Sequence, residues 1–148
     1  MTSLILGYGN PLRSDDGFGW KMATAIEQDV ASAEVKVIAT QQLTPELAEV
    51  VAGSKRILFL DAAHEGEPGE IRTTTVQRDP EWQPLAGSHH LTPAAILGLA
   101  YYYFRAEPPA TLLTVTGRSF ELGESMTQEL QNAWEPCLKR IHEWVGGL

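Results

Sequence analysis

Apolar residues recur along this chain at two spacings, every second residue and every three to four, and the switches between them mark out strands and helices. Leu4 to Leu6 is a short apolar run closed by Gly7, a first strand. Val35 to Ala39 alternates and reads as a half-buried second strand. Ile57 to Leu60 is wholly apolar and ends at Asp61, which suits a central strand covered on both faces. Ile71 to Val76 is β-branched but polar, the pattern of an edge; Thr111 to Thr116 is more apolar and belongs inside the sheet. Helical spacing fills the gaps. From Asp16 to Val30, the residues Phe18, Met22, Ile26 and Val30 form one stripe, with Ser14 or Asp15 as N-cap. Thr44-Pro45-Glu46 combines a cap, a proline at the first position and an early acid, and Leu43, Leu47 and Val51 follow on one face. Thr92-Pro93 repeats the start signal ahead of Ile96, Leu97, Ala100, Tyr101 and Phe104. Ser125 and Gln128 read as a capping box opening a long helix through Leu130, Trp134, Leu138, Ile141 and Val145, with a kink expected at Pro136.

Strands alternating with helices indicate an α/β layered domain, and no repeat or linker divides residues 1–148. Only residues 62–70 separate the third and fourth strands. A parallel crossover needs a dozen or more residues, so the fourth strand is expected to run antiparallel to the third. With polar edges at strands two and four, a mixed five-stranded sheet between two helical layers follows. A site in such a fold belongs at the carboxyl ends of the parallel strands.

Composition narrows the partners. The chain has 11 Lys+Arg against 19 Asp+Glu, a formal net charge of −8. That balance repels phosphate backbones and argues against nucleic acid or anionic membranes. No apolar run reaches the length of a membrane span, and MTSLILGYGN carries no basic leader segment, so a cytoplasmic protein without a signal peptide is expected. The lone cysteine, Cys137, excludes an internal disulfide, suits a reducing compartment, and is read as a small apolar residue on a helix.

The densest chemical signal is GYGNPLRSDDGFG, residues 7–19. A dinucleotide loop would need a third glycine where Leu12 stands, and a P-loop would need Gly-Lys-Ser/Thr. What remains is a turn that delivers Asp15 and Asp16 to a helix N-terminus. Capping suffices to explain Asp15. It explains Asp16 less well, because Gly17 and Gly19 weaken the helix start and imply the close approach of another backbone or of a ligand. Asp61 closes a buried strand at the mouth of the crevice; the plainer reading is a turn-former. His89 and His90 precede the Thr92-Pro93 helix and can hang over the same crevice. His64 is near Asp61 in sequence but is a weaker candidate, and His142 is expected to face solvent. Oxygen and imidazole donors without thiolate suit an open site for a divalent metal such as nickel or zinc.

GYGNPLRSDDGFG, LFLDAA and SHHL, in this order and spacing, resemble the three blocks of the hydrogenase maturation endopeptidases. QLTPEL (residues 42–47) and SFELGE (residues 119–124) are similar to further stretches, especially of the group serving bidirectional, NAD-linked hydrogenases. The resemblance implies a sheet order of 2-1-3-5-4. It also implies that Asp16, Asp61 and His89, with His90 as the alternative, bind nickel carried by the precursor of a nickel–iron hydrogenase large subunit. Some members have glutamate where Asp16 stands, so the reach here is shorter. The implied activity is removal of a C-terminal extension once nickel is in place, with no tightly held metal in the isolated peptidase. Two other readings share the same residues: a self-contained metal-dependent hydrolase, and a nickel-sensing chaperone that docks without cutting.

Overall fold

The computed structural model describes residues 1–81 and 91–147. Strand β1 (Ser3–Tyr8) is followed by a 3-10 turn (Ser14–Gly17), helix α1 (Phe18–Val30), β2 (Val35–Thr40), α2 (Leu47–Ala52) and β3 (Ile57–Ala63). Then come β4 (Ile71–Val76), α3 (Pro93–Phe104), β5 (Ala110–Thr116) and α4 (Gln128–Gly146). The five strands form one sheet in the order β2-β1-β3-β5-β4. All neighbours are parallel except β4 and β5. The short connection after β3 therefore does what its length required, sending β4 back alongside β5 rather than across the sheet.

Side-chain alternation splits the core into two layers. Ile5 in β1, with Leu58, Leu60 and Ala62 in β3, packs against Phe18, Met22 and Ile26 of α1 and Leu130, Cys137 and Ile141 of α4. Leu4, Leu6, Ile57 and Phe59 point the other way, toward Ala48 and Val51 of α2 and Ile96, Leu97 and Ala100 of α3. Cys137 is fully buried, as its apolar reading required, and His142 is exposed. β4 carries exposed Arg72 to Thr75, consistent with its place at the edge.

Three helix starts differ from the sequence expectation. α1 begins at Phe18 after the 3-10 turn, and neither Ser14 nor Asp15 caps it. α2 begins at Leu47, because Thr44 and Pro45 form a turn in which their carbonyls take the Leu47 and Ala48 N–H groups. The proposed Ser125 capping box is absent: α4 starts at Gln128 after Thr127, and the Thr127 hydroxyl is turned to Asp15 instead. The helix continues through Pro136 without interruption. Only the Thr92-Pro93 start is as read, with the Thr92 hydroxyl accepting the Ala95 N–H at 3.1 Å.

Candidate active site

The glycines of residues 7–19 are a packing device. A Cβ on Gly19 would sit 2.2 Å from the Leu60 carbonyl oxygen and 2.5 Å from that of Tyr8, so α1 lies with its backbone directly on β1 and β3. On Gly9, at φ +146°, it would sit 1.9 Å from the Asp16 carbonyl oxygen. The close approach inferred from these glycines is thus made by the chain's own backbone. Its effect is to clamp the turn carrying Asp15 and Asp16 against the carboxyl ends of β1 and β3.

The two neighbouring acids go separate ways. Asp15 is fully buried and points toward the far end of the chain. Its carboxylate accepts the N–H groups of Arg118 (2.8 Å), Ser119 (3.2 Å) and Thr127 (2.8 Å) and the Thr127 hydroxyl (2.7 Å). Burial by itself would raise its pKa, but the donors at Thr127, Arg118 and Ser119 outweigh it and hold the group below the usual aspartate value. The Asp15 carboxylate thus serves the segment at Arg118 and Ser119 and the residue ahead of α4, Thr127, rather than the start of α1. Asp16 is half-buried, accepts the Asn10 N–H at 2.9 Å through Oδ2, and faces a cavity.

That cavity, about 830 Å³, lies at the carboxyl ends of β1, β2 and β3. Tyr8, Asn10, Arg13, Asp16, Asp61 and His64 are on its wall, with Leu91 and Thr92 from the approach to α3. Asp61 is inside β3 rather than just after it, because the strand runs three residues beyond the apolar stretch to Ala63. This corrects the turn-former reading. Two residues on from Phe59, it faces the α2/α3 layer, as does Tyr8 two residues on from Leu6. Burial pushes the Asp61 carboxyl up to about 7, with the Asp16 charge adding to the rise, against opposing hydrogen bonds from Tyr8 and the Ala62 N–H. Tyr8 in turn is raised, by burial first and then by the adjacent Asp61 charge. The cavity thus holds a second carboxylate whose charge disfavours ionisation of Asp61, an arrangement that a cation would relieve.

Of the metal-ligand set, Asp16 and Asp61 are brought together on one wall. His89 and His90 lie outside the described residues. Among the described residues, no three His, Cys, Asp or Glu side chains gather closely enough to hold a metal. His64 does reach the cavity, its ring stacked on Phe120 with centroids 3.9 Å apart and planes 17° apart. Tyr8 and Arg13 were not singled out from the sequence. The signal for Tyr8 was its place between two glycines, at the end of the first strand.

A second cavity, about 580 Å³, lies at the opposite edge of the sheet beside the starts of β3 and β5. Its cations are already engaged. Arg56 donates to the carbonyls of Trp144 and Val145 while lying 3.8 Å over the Trp144 ring, and Arg78 pairs with Glu107 above Tyr101.

No protein-family model and no curated protein sequence matches the chain. Solved structures do. The hydrogenase maturating endopeptidase HybD from E. coli is similar at TM-score 0.76 and 25% identity, over 95% of this chain and 90% of that one. The fold is that of the hydrogenase maturation endopeptidases. A [NiFe] hydrogenase maturation protease HycI from Thermococcus kodakarensis has TM-score 0.75 at 22% identity, covering 98% of this chain and 92% of its own. A hydrogenase 2 maturation peptidase from a Thaumarchaeota archaeon gives 0.75 at 22%, covering 99% of both chains. The sheet order 2-1-3-5-4 and the antiparallel β4 agree with this maturation-protease fold. The likeness to HybD over nearly the whole chain indicates a peptidase.

Proposed function

We propose that this chain is an endopeptidase that removes a C-terminal extension from the precursor of a nickel–iron hydrogenase large subunit after nickel has been inserted. The observation that carries this reading is the pair Asp16 and Asp61 on one cavity at the carboxyl ends of the parallel strands, in a chain that shares its fold and 25% identity with HybD. The nickel belongs to the substrate. Asp16 and Asp61 supply oxygen donors to it, and His89, with His90 as the alternative, supplies the imidazole. The isolated peptidase holds no tight metal of its own.

The electrostatics of the cavity support a selection mechanism. In the free protein, the Asp61 carboxyl sits near 7 because its charge is poorly solvated and Asp16 is close. A precursor that brings a positive centre compensates both carboxylates, whereas a metal-free precursor leaves them facing each other. Affinity therefore differs between loaded and unloaded substrate through the interaction made at the metal. Once seated, the metal fixes the neighbouring peptide bond in the cavity for hydrolysis. The QLTPEL and SFELGE stretches favour a bidirectional, NAD-linked hydrogenase as the source of the precursor. The acidic balance argues against nucleic-acid or membrane partners, and among the described residues no helix is long and apolar enough to cross a membrane. On this reading the protein works in the cytoplasm.

The test mixes the purified chain with nickel-loaded and nickel-free precursor and weighs the products. Release of a C-terminal peptide from the loaded sample alone is the expected result. Equal cutting of both removes the selection mechanism, and binding without cutting replaces the peptidase by a chaperone.

A further inference from the structure

The SFELGE stretch, residues 119–124, has no part in the chemistry just described, yet it touches two residues of the cavity wall, Gly123 bridging to Arg13 and Phe120 stacking on His64. Its backbone is joined to the first loop at several points. Gly123 donates its N–H to the Leu12 carbonyl at 2.9 Å, and Ser14 donates its N–H to the Gly123 carbonyl at 2.8 Å. The Ser14 hydroxyl donates to the Glu121 carbonyl at 2.8 Å, and the Asp15 N–H to the Ser119 carbonyl at 3.0 Å. Buried Asp15 fastens the same stretch from below. Phe120 is tucked over Gly117 and under His64, whose ring reaches the cavity. The result is a double-stranded lip running from His64 to Arg13, both of them cavity residues.

On this lip stand Leu12, 53% exposed, and Leu122, 82% exposed. They belong to adjoining backbone segments, since the residue after Leu122 is the one bonded to Leu12. Two exposed leucines, carried on a heavily tied scaffold that joins two cavity residues, offer apolar area for a partner at little cost in ordering the backbone. We propose that Leu12 and Leu122 are the docking surface for the precursor, receiving an apolar stretch of its polypeptide next to the cut bond while the metal enters the cavity. The occupant follows from continuity: a chain whose metal lies between Asp16 and Asp61 must leave the cavity past one of its rims, and this rim presents apolar side chains. The inference rests on the processing reading above.

The experiment compares Leu12→Ser, Leu122→Ser and the double variant with the parent, measuring Kd for nickel-loaded precursor, KM and kcat for processing, the thermal midpoint, and oligomeric state. A fall in affinity and a rise in KM of roughly tenfold or more for the double variant, with kcat and the midpoint little changed, is expected. Unchanged Kd and KM overturn the docking assignment while parent cleavage keeps the processing reading. Loss of self-association in the variants with unchanged precursor binding also overturns it, and makes the lip a contact between copies of this chain. A parent that binds loaded precursor without cutting it loses the processing reading, and the variants' Kd still decides the docking surface. A parent that neither binds nor cuts sinks both.

Discussion

Asp15 and Asp16 are adjacent, identical in chemistry, and opposite in what their removal does. In Asp15→Ala, three backbone N–H groups and one hydroxyl lose a charged acceptor inside a region closed to solvent at the carboxylate itself. A hydrogen bond to a charged group is worth about 1.5–3 kcal/mol. The four share one acceptor, and Arg118 is exposed enough for water to recover part of the loss, so the sum is well below additive. A destabilisation of about 3–5 kcal/mol is expected, a large share of the ~5–15 kcal/mol that holds a domain of this kind together. Asp15→Asn keeps one oxygen acceptor but turns an amide toward donors, and is expected to cost about 2–3 kcal/mol. Asp16→Asn loses at most part of one bond, from Asn10, and changes stability by less than about 1 kcal/mol. Urea unfolding at pH 7 measures all three. Because the folded-state pKa of Asp15 is lowered, its contribution is complete above the ordinary aspartate value and disappears as pH falls below it. The gap between parent and Asp15→Asn is therefore expected to close in acid. If Asp16→Asn proves the more damaging, or Asp15→Ala unfolds within 1 kcal/mol (on the scale of ~1 kcal/mol per ordinary bond) of the parent, the role given to Asp15 in holding Arg118, Ser119 and Thr127 is wrong.

Further predictions concern the cavity and its support. Asp61 has a raised folded-state pKa of about 7 against an ordinary 3.8, so the folded protein holds an extra proton between these values and loses stability as pH rises through that window. Asp61→Asn should match the parent near pH 4 and exceed it by about 2–4 kcal/mol at pH 8, measured by the same unfolding assay, while abolishing processing. Processing by the parent should increase as pH rises through about 7, where Asp61 ionises and can meet a cation; a profile flat across that range contradicts the role given to it. Asp16→Asn should leave the thermal midpoint almost unchanged and stop release of the precursor's C-terminal peptide, read by mass spectrometry. Gly19→Ala places a methyl against two backbone carbonyl oxygens and should cost about 3 kcal/mol, since neither strand can move aside.

Much of the architecture was legible because it depends on short-range facts. Residues 62–70, read as the link between the third and fourth strands, were too few for a crossover, which fixed the direction of β4, and strand polarity marked the sheet edges. The candidate site was legible in part. Asp16 and Asp61 do meet on one cavity, and of the two close approaches that Gly17 and Gly19 implied, another backbone or a ligand, it is backbone that packs against both glycines. Asp15 was misread as a local cap because its partners lie 103 to 112 residues further on, and no pattern within a window of one helix reports them. The same distance hid the Ser125 error, since Thr127 stands immediately ahead of α4 with its hydroxyl spent on Asp15. Tyr8 was missed for a related reason: its effect on Asp61 depends on two strands lying side by side, which a linear reading registers only as a neighbour of glycines.

β3 sends Leu58, Leu60 and Ala62 to one helical layer and Ile57 and Phe59, with Asp61 in step behind them, to the other. Inserting or deleting a single residue ahead of Asp61 in that strand would exchange the two sets. The carboxylate would then press against the apolar underside of α1, and Leu60 after an insertion, or Ala62 after a deletion, would line the cleft in its place. Chemistry and core are written in the same alternation here, so neither can drift along the strand without the other.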